Sequence, residues 1–258
     1  MSARGIVHVH SSYSYDSTTP LAEIAALARR EGLRFVVQTE HSNELTAAAH
    51  AEYRRETADL SGPDLLVVPA VEYASSDNAV HVLAVGIDEY FDDLARFDLS
   101  RLDDLLERLA RRGGASILAH PERAHAIDKI PAGTLSRFDG IEVWNGKTDR
   151  WGPSPRALTA LAASRSARPA FATAGLDQHR LSDYRRVGLE LPEAPCDAAS
   201  LVALLRARRF EIFFGRLRWD PHRAGAGSRA LARSSRWLLR RARYLKAKAR
   251  AAVARGGR

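Results

Sequence analysis

One cysteine, Cys196, stands in 258 residues. An internal disulfide framework is excluded, and so is any CxxC zinc or redox motif. That scarcity fits a reducing compartment, and a cytoplasmic location is expected. No uninterrupted apolar run reaches the length of a membrane span. The N-terminus shows no basic segment followed by an apolar stretch, so no signal peptide is expected. No fixed-period repeat is visible. What is present is a globular composition, 45% hydrophobic and 27% charged, with enough apolar residues for a sizeable core. The net charge of +8 is unevenly spread: from Arg216 onward there are fourteen Lys/Arg and one acid, Asp220. The first 215 residues hold 25 bases and 30 acids. The expected organisation is a body, 1–215, and a basic, partly helical or disordered tail, 216–258.

Periodicity along the body alternates between the two regular structures. Strands are predicted over Ile6–His10, Leu33–Thr39, Leu65–Val71, Val80–Gly86, Ser116–Ala119, Gly140–Val143, Ala170–Ala174, Val187–Leu191 and Phe210–Phe213. Helices are predicted after Thr19-Pro20, over Glu44–Leu60, Leu99–Arg112, Leu135–Phe138, Pro155–Ser166 and Ala198–Arg208. Short buried strands alternating with helices indicate parallel βαβ units. About seven such units suit a closed or nearly closed α/β barrel, with an open doubly wound sheet as the rival.

The metal-capable residues fall at the ends of those strands. His8 and His10 are two residues apart, which in a strand places both side chains on one face. Asp16 follows in a Ser/Tyr-rich turn. Glu40-His41 ends the next strand, Glu72 the third, and His81 opens the fourth. His120-Pro121 follows Ser116–Ala119, Glu142 and Asn145 straddle the end of Gly140–Val143, and Asp177 and His179 follow Ala170–Ala174. Six of the nine histidines thus sit at strand ends beside carboxylates, where parallel barrels assemble their sites. His50, His125 and His222 fall outside the pattern and are expected on the surface.

These residues, in this order, resemble the PHP (polymerase and histidinol phosphatase) superfamily. The motifs read His8-Val9-His10 with Asp16, Thr39-Glu40-His41, Val71-Glu72, His81-Val82-Leu83, Ala119-His120-Pro121 and Gly175-Leu176-Asp177-Gln178-His179. The resemblance covers residues 5 to 180. It departs from the family at Glu40, where the family has aspartate and where a supporting role is expected, and at the turn holding Asp16. The resemblance implies a distorted seven-stranded β/α barrel and up to three divalent ions. His8, His10, Glu72 and Asp177 would hold the first. Glu72 would bridge to a second, completed by His81 and His120. Asp16, His41 and His179 would hold the third. Mixed nitrogen and oxygen ligands suit zinc, manganese or iron.

The implied chemistry is hydrolysis of a phosphate ester, most simply a small phosphomonoester, by in-line attack of a metal-bridging hydroxide. His8, His10, Glu72, His120 and Asp177 would form the catalytic set. Ser11, Ser12 and Ser14 are expected to shape a turn rather than act as nucleophiles. Arg123 and Arg180, each next to a candidate ligand motif, are candidates to bind the substrate phosphate. Trp144 and Trp151 flank Asn145 and Lys147, where they could stack on a ring or pack beneath the loop. A nuclease or phosphodiesterase is the alternative activity, and a non-catalytic domain stabilised by its metals is the third. In the tail, Leu231, Leu238 and Leu245 form a narrow apolar stripe on a basic helix after a flexible joint at 224–228. One reading of it is a solvated, partly disordered tail; the others are attachment to an anionic membrane surface, favoured by Trp237 and Tyr244, or to nucleic-acid phosphates.

Overall fold

The computed structural model describes residues 2–149, 152–164 and 169–223. Eleven strands form one sheet: β1 (Ala3–Val9), β2 (Phe35–His41), β3 (Leu66–Ser75), β4 (His81–Val85), β5 (Arg96–Phe97), β6 (Ala115–Leu118), β7 (Gly140–Asn145), β8 (Phe171–Gly175), β9 (Val187–Leu191), β10 (Glu211–Phe214) and β11 (Leu217–Trp219). The strand order is β11-β10-β9-β1-β2-β3-β4-β6-β7-β8, with β5 attached to β3. The helices are α1 (Leu21–Arg30), α2 (Ala47–Leu60), α3 (Leu102–Arg111), the short α4 (Ala126–Lys129) and α5 (Ala132–Leu135), α6 (Pro155–Ala163) and α7 (Ala198–Ala207).

Local chemistry accounts for most of these elements. β2 reads Phe-Val-Val-Gln-Thr-Glu-His and is buried along its whole length, as a strand covered on both faces must be. α1 buries Leu21, Ile24, Ala25, Leu27 and Ala28, the stripe that its 3.6-residue spacing predicts. α3 buries Leu102, Leu105, Leu106 and Leu109 in the same way. The Thr46 side chain caps α2 by accepting from the Ala49 N–H at 3.1 Å. α2 differs from the other two: its buried residues are His50, Tyr53 and Thr57. Tyr53 donates its hydroxyl to the Gln38 carbonyl at 2.7 Å, tying this helix to β2 through a polar contact.

The sheet curls until its far end meets β1. Leu176 N donates to Val7 O at 2.9 Å, Gln178 N to His8 O at 3.3 Å, and His10 N to Gln178 O at 2.8 Å. The outer edge of β1 is therefore shared. Ala3–Gly5 pairs antiparallel with β9, while Val7–His10 takes the segment that leaves β8. This seam places the residues after β1 beside the residues after β8.

The sheet is mixed, which corrects the expectation of uniform parallel units. β3–β4 and β4–β6 pair antiparallel, as do β9–β10 and β10–β11. The cause lies in the connection between β3 and β4: residues 76–80 form a tight turn, too short for the crossover that a parallel pair requires. The helix predicted over Leu135–Phe138 lies three residues earlier, as α5. Pairing also continues past residue 215, because Leu217–Trp219 forms β11 against β10. Two of the three histidines expected on the surface are not there: His50 is buried and His222 half-buried. His50 is 5% exposed, and burial, then Arg54, pushes its pKa down to about 4. His222 accepts from the Ala172 N–H at 3.0 Å and packs edge-on against Phe210. His125 is exposed, as expected. Trp151, Trp237 and Tyr244, with the whole segment from 224 onward, lie outside the described residues.

Candidate metal centre

Glu72, the residue after the apolar half of β3, is the hub. Its carboxylate is fully buried and faces five imidazoles. Oε2 lies 3.3 Å from His8 Nε2, 3.3 Å from His10 Nε2 and 3.1 Å from His41 Nδ1. Oε1 lies 2.7 Å from His81 Nδ1 and 3.0 Å from His120 Nε2. Asp177 Oδ1 stands 4.0 Å and 3.8 Å from the same His8 and His10 nitrogens. On the solvent side, Asp16 approaches His41 Nε2 at 3.5 Å and His179 Nε2 at 2.9 Å. All nine side chains proposed as ligands therefore meet in one cluster, drawn from residues as far apart as His8 and His179.

Each arrives by a different local device. His8 sits at a bulge where the β1–β2 register shifts between Val7 and Val9. Its φ of 65° is left-handed. The two-residue spacing thus brings His8 and His10 together through a distorted strand end rather than a regular pleat. His120 (φ 25°) and Asp177 (φ 51°) are left-handed as well. His120 precedes Pro121, a position from which helical conformations are disfavoured. Such backbone states in residues with side chains cost about 1–3 kcal/mol each and gather at functional sites. Glu72 and His81 come from one hairpin, in which Ala74 is paired with His81.

A surrounding layer orients the rings. Glu142 Oε1 holds His8 Nδ1 at 3.0 Å, while Oε2 accepts from the His120 N–H at 2.6 Å and from Asn145 Nδ2 at 2.9 Å. Gly175 makes room for this: a Cβ there would stand 1.7 Å from Glu142 Oε1 and 2.8 Å from His8 Cβ. Asn78, left-handed in its turn, presents Oδ1 to His81 Nε2 at 2.7 Å.

Glu40 points away from the cluster into the Ser-rich turn. It accepts from Ser11 N at 3.1 Å, Ser11 Oγ at 2.7 Å, Ser14 Oγ at 2.5 Å and Gln38 Nε2 at 2.7 Å. Ser14 Oγ lies 3.2 Å from His10 Nδ1 and accepts from the His41 N–H at 3.0 Å. Burial raises the Glu40 pKa, against the lowering effect of these donors. Glu40→Ala would leave several buried donors without a partner, each costing about 1–3 kcal/mol. A fall in melting temperature of roughly 6–12 °C is expected. Thermal unfolding checks this, and a melt unchanged from the parent would refute the anchoring role.

The charge state follows from the same geometry. Burial alone disfavours charged imidazole, yet Glu72 and Glu142 raise the His8 pKa well above the histidine range. Burial also opposes charge on His41, but Glu72 and then Asp16 lift it to about 9. His10 goes the other way: burial, then the neighbouring His41, hold it well below. Burial acts to raise the Glu72 pKa, but His8, His81 and His41 pull it well below the carboxylate range. Protons on imidazole thus balance buried carboxylates, and cations could replace them.

The donor set fits metal ions. The Nε2 atoms of His8 and His10 are each buried 3.3 Å from Glu72 Oε2 without a well-aligned hydrogen bond. Native interiors rarely tolerate such atoms. Ligand atoms about 2.0–2.2 Å from a common ion stand roughly 3–4 Å from one another, which is the spacing seen here. Among the described residues, four triads have donor atoms mutually within 4.8 Å: His8–His10–Glu72, His8–His120–Asp177, His41–Glu72–His81 and His10–His41–His179.

The two predicted phosphate-binding arginines separate. Arg123 lines the small cavity over the cluster, with Nη1 2.9 Å from His81 Nε2. Arg180 is exposed, starts the turn at Leu181–Asp183 with its N–H bonded to Asp183 Oδ2, and is not brought to the site. Its expected place is taken by Lys147, whose Nζ lies 3.4 Å from Asp177 Oδ1 and 3.3 Å from His179 Nδ1. The sequence placed Lys147 between Trp144 and Trp151 but gave it no role. Trp144 is 6% exposed and packs against Phe214, so it supports the loop and offers no stacking face.

No family model and no curated protein matches the sequence. Solved structures share its fold. One is a two-domain protein of Bacteroides vulgatus said to contain a PHP-like metal-dependent phosphoesterase, at 17% identity and TM-score 0.63. The match covers 84% of this chain and 66% of that one, so the chain spans just under two thirds of that protein's length. PsfC of Pseudomonas syringae aligns over 92% of this chain and 99% of its own, at 16% identity and TM-score 0.58. The lesion-specific endonuclease EndoQ of Pyrococcus furiosus matches 80% of this chain and 56% of its own, at 15% identity and TM-score 0.56.

Proposed function

We propose that this chain is a metal-dependent phosphoesterase of the PHP type acting on a phosphomonoester; its curled sheet carries more strands than the seven that the resemblance implied. The observation that carries the reading is Glu72, one buried carboxylate shared by five histidines, with three further carboxylate and imidazole ligands completing the ring. The fold likeness to a PHP-like phosphoesterase domain supports it. His8, His10, Glu72 and Asp177 would hold one divalent ion, Glu72, His81 and His120 a second, and Asp16, His41 and His179 a third. Zinc, manganese or iron suits this donor set. Bound there, such ions would supply Lewis acidity, easing deprotonation of water and neutralising phosphoryl oxygens.

The protein's own groups supply position and charge. Glu142 fixes the His8 ring through Nδ1, leaving Nε2 turned towards Glu72. The cavity over the cluster has a volume of about 50 Å³ and is lined by Tyr15, Arg123 and Lys147 besides the ligands. That is room for little more than a phosphoryl group. Arg123 and Lys147 would face its non-bridging oxygens, where positive charge is most useful as the bond breaks. Ser11 and Ser14 donate their hydroxyls to Glu40 and are occupied, so a water-derived nucleophile is the consistent choice.

The test is phosphate release by protein loaded with Mn²⁺ or Zn²⁺, run against phosphomonoesters and short oligonucleotides. Release from monoesters with oligonucleotides left whole is the expected result. Shortening of oligonucleotides would instead favour the nuclease reading, which the fold likeness to EndoQ keeps in view. His10→Ala and Asp177→Ala should each abolish turnover while far-ultraviolet circular dichroism stays near the parent's. Full activity in both would refute the assigned cluster. The basic tail is read as an anchor to an anionic surface, membrane or nucleic acid, and not as part of the catalytic unit.

A further inference from the structure

Beside the small cavity lies a second and larger one. It has a volume of about 420 Å³, within the range of small-molecule sites, and it shares Lys147 and Asp177 with the cluster. Its wall is of a different character. Leu176, which follows β8, and Phe214, at the end of β10, supply apolar surface. Phe214 is partly exposed, and the buried Trp144 ring backs it at 5.1 Å between centroids. Asp183 and Arg185 supply the polar rim. Arg185 Nη1 is held by the Ser182 and Tyr184 carbonyls at 3.0 and 2.8 Å. Among the described residues no carboxylate oxygen lies within 4.0 Å of its guanidinium.

We propose that this cleft is the leaving-group subsite, and that the protein prefers phosphomonoesters of ring-bearing, partly apolar alcohols over those of small polar ones. The inference rests on the phosphoesterase reading for its substrate and deepens it. A phosphoryl group fills the 50 Å³ cavity over the cluster. Its single organic substituent then passes Lys147 and enters the adjoining cleft. There a planar ring finds Phe214, whose position the Trp144 ring fixes from behind. Aromatic rings bury large apolar area and favour offset or edge contacts with another ring, so the gain falls on ring-bearing substituents. The side chain of Lys147, at the junction, lies where it meets the anionic head of any such ligand, while Phe214 meets only the substituent.

The two parts can be separated by ligands that do not turn over. Phenylphosphonate and methylphosphonate carry the same head group and differ only in the substituent. Titration calorimetry on the Mn²⁺-loaded protein should show phenylphosphonate binding about tenfold tighter or more. Phe214→Leu keeps an apolar side chain against Trp144 but removes the ring. It should bring the ratio of the two affinities at least threefold closer to one, and Phe214→Ala should bring it nearer still. Equal affinities in the parent protein, or a ratio unmoved by both substitutions, would overturn the cleft assignment. Turnover reads the other claim: phenyl phosphate should be hydrolysed with a higher kcat/KM than glycerol phosphate. Ring-selective binding without hydrolysis of either ester would sink the phosphoesterase reading and leave the subsite standing. Hydrolysis of both with no ring selectivity would do the reverse.

Discussion

Glu72→Gln should lower turnover by about a thousandfold or more, equivalent to roughly 4 kcal/mol of barrier. The substitution keeps the shape and most of the packing of the side chain. What it removes is the negative charge that two carboxylate oxygens present to five imidazoles at 2.7–3.3 Å. An amide offers one oxygen in place of two and cannot bridge two ions. The expected metal content therefore falls by at least one equivalent, read by elemental analysis of the dialysed protein. Glu142→Gln is the matched comparison. Glu142 touches His8 and the His120 N–H but belongs to none of the four triads. Loss of such an orienting group commonly costs 10–100-fold. Two equally mild variants would show that Glu72 is an ordinary buried carboxylate and not the bridge.

Stripping the divalent ions with a chelator should abolish turnover and lower the melting temperature by 10 °C or more. The reason is mass action. A ligand that binds the folded chain at a hundred times its dissociation constant stabilises it by about 2.7 kcal/mol. In a domain of this size each kcal/mol moves the midpoint by about 2–4 °C. One ion thus accounts for roughly 5–10 °C, and several add. Without ions, the Nε2 atoms of His8 and His10 remain buried without a well-aligned hydrogen bond, at a cost. Differential scanning calorimetry before chelation, after it and after adding back Mn²⁺ or Zn²⁺ reads the effect directly. Identical melts in all three states, with turnover intact, would remove the metal hypothesis.

Much of the centre is legible in the chain because its residue types are conspicuous where they stand. An imidazole or carboxylate at the end of a buried, β-branched run has few reasons to be there, and the same pattern recurs along the first 180 residues. Glu40 is a case where a misplaced ligand type could be set aside, and in the structure the Ser11–Ser14 turn offers it three donors and Gln38 a fourth. What escapes the sequence depends on contacts between distant segments. The left-handed bulge at His8 exists because Leu176 and Gln178 bond to its strand from 168 or more residues away. The reversal at β4 depends on a five-residue turn that periodicity does not register. Arg180 and Lys147 look alike as basic residues near ligand motifs, and only the path of the loops decides which reaches Asp177. His50 and His222 look like solvent-facing residues until α2 and the segment after β11 fold against the sheet.

The three proposed ligands in left-handed backbone geometry put comfort and usefulness in opposition. His8, His120 and Asp177 occupy torsions that glycine would adopt freely. Selection for heat resistance alone would reward their replacement, and each replacement would take an imidazole or carboxylate out of the cluster. Replacement at these positions would give a sturdier and inert barrel.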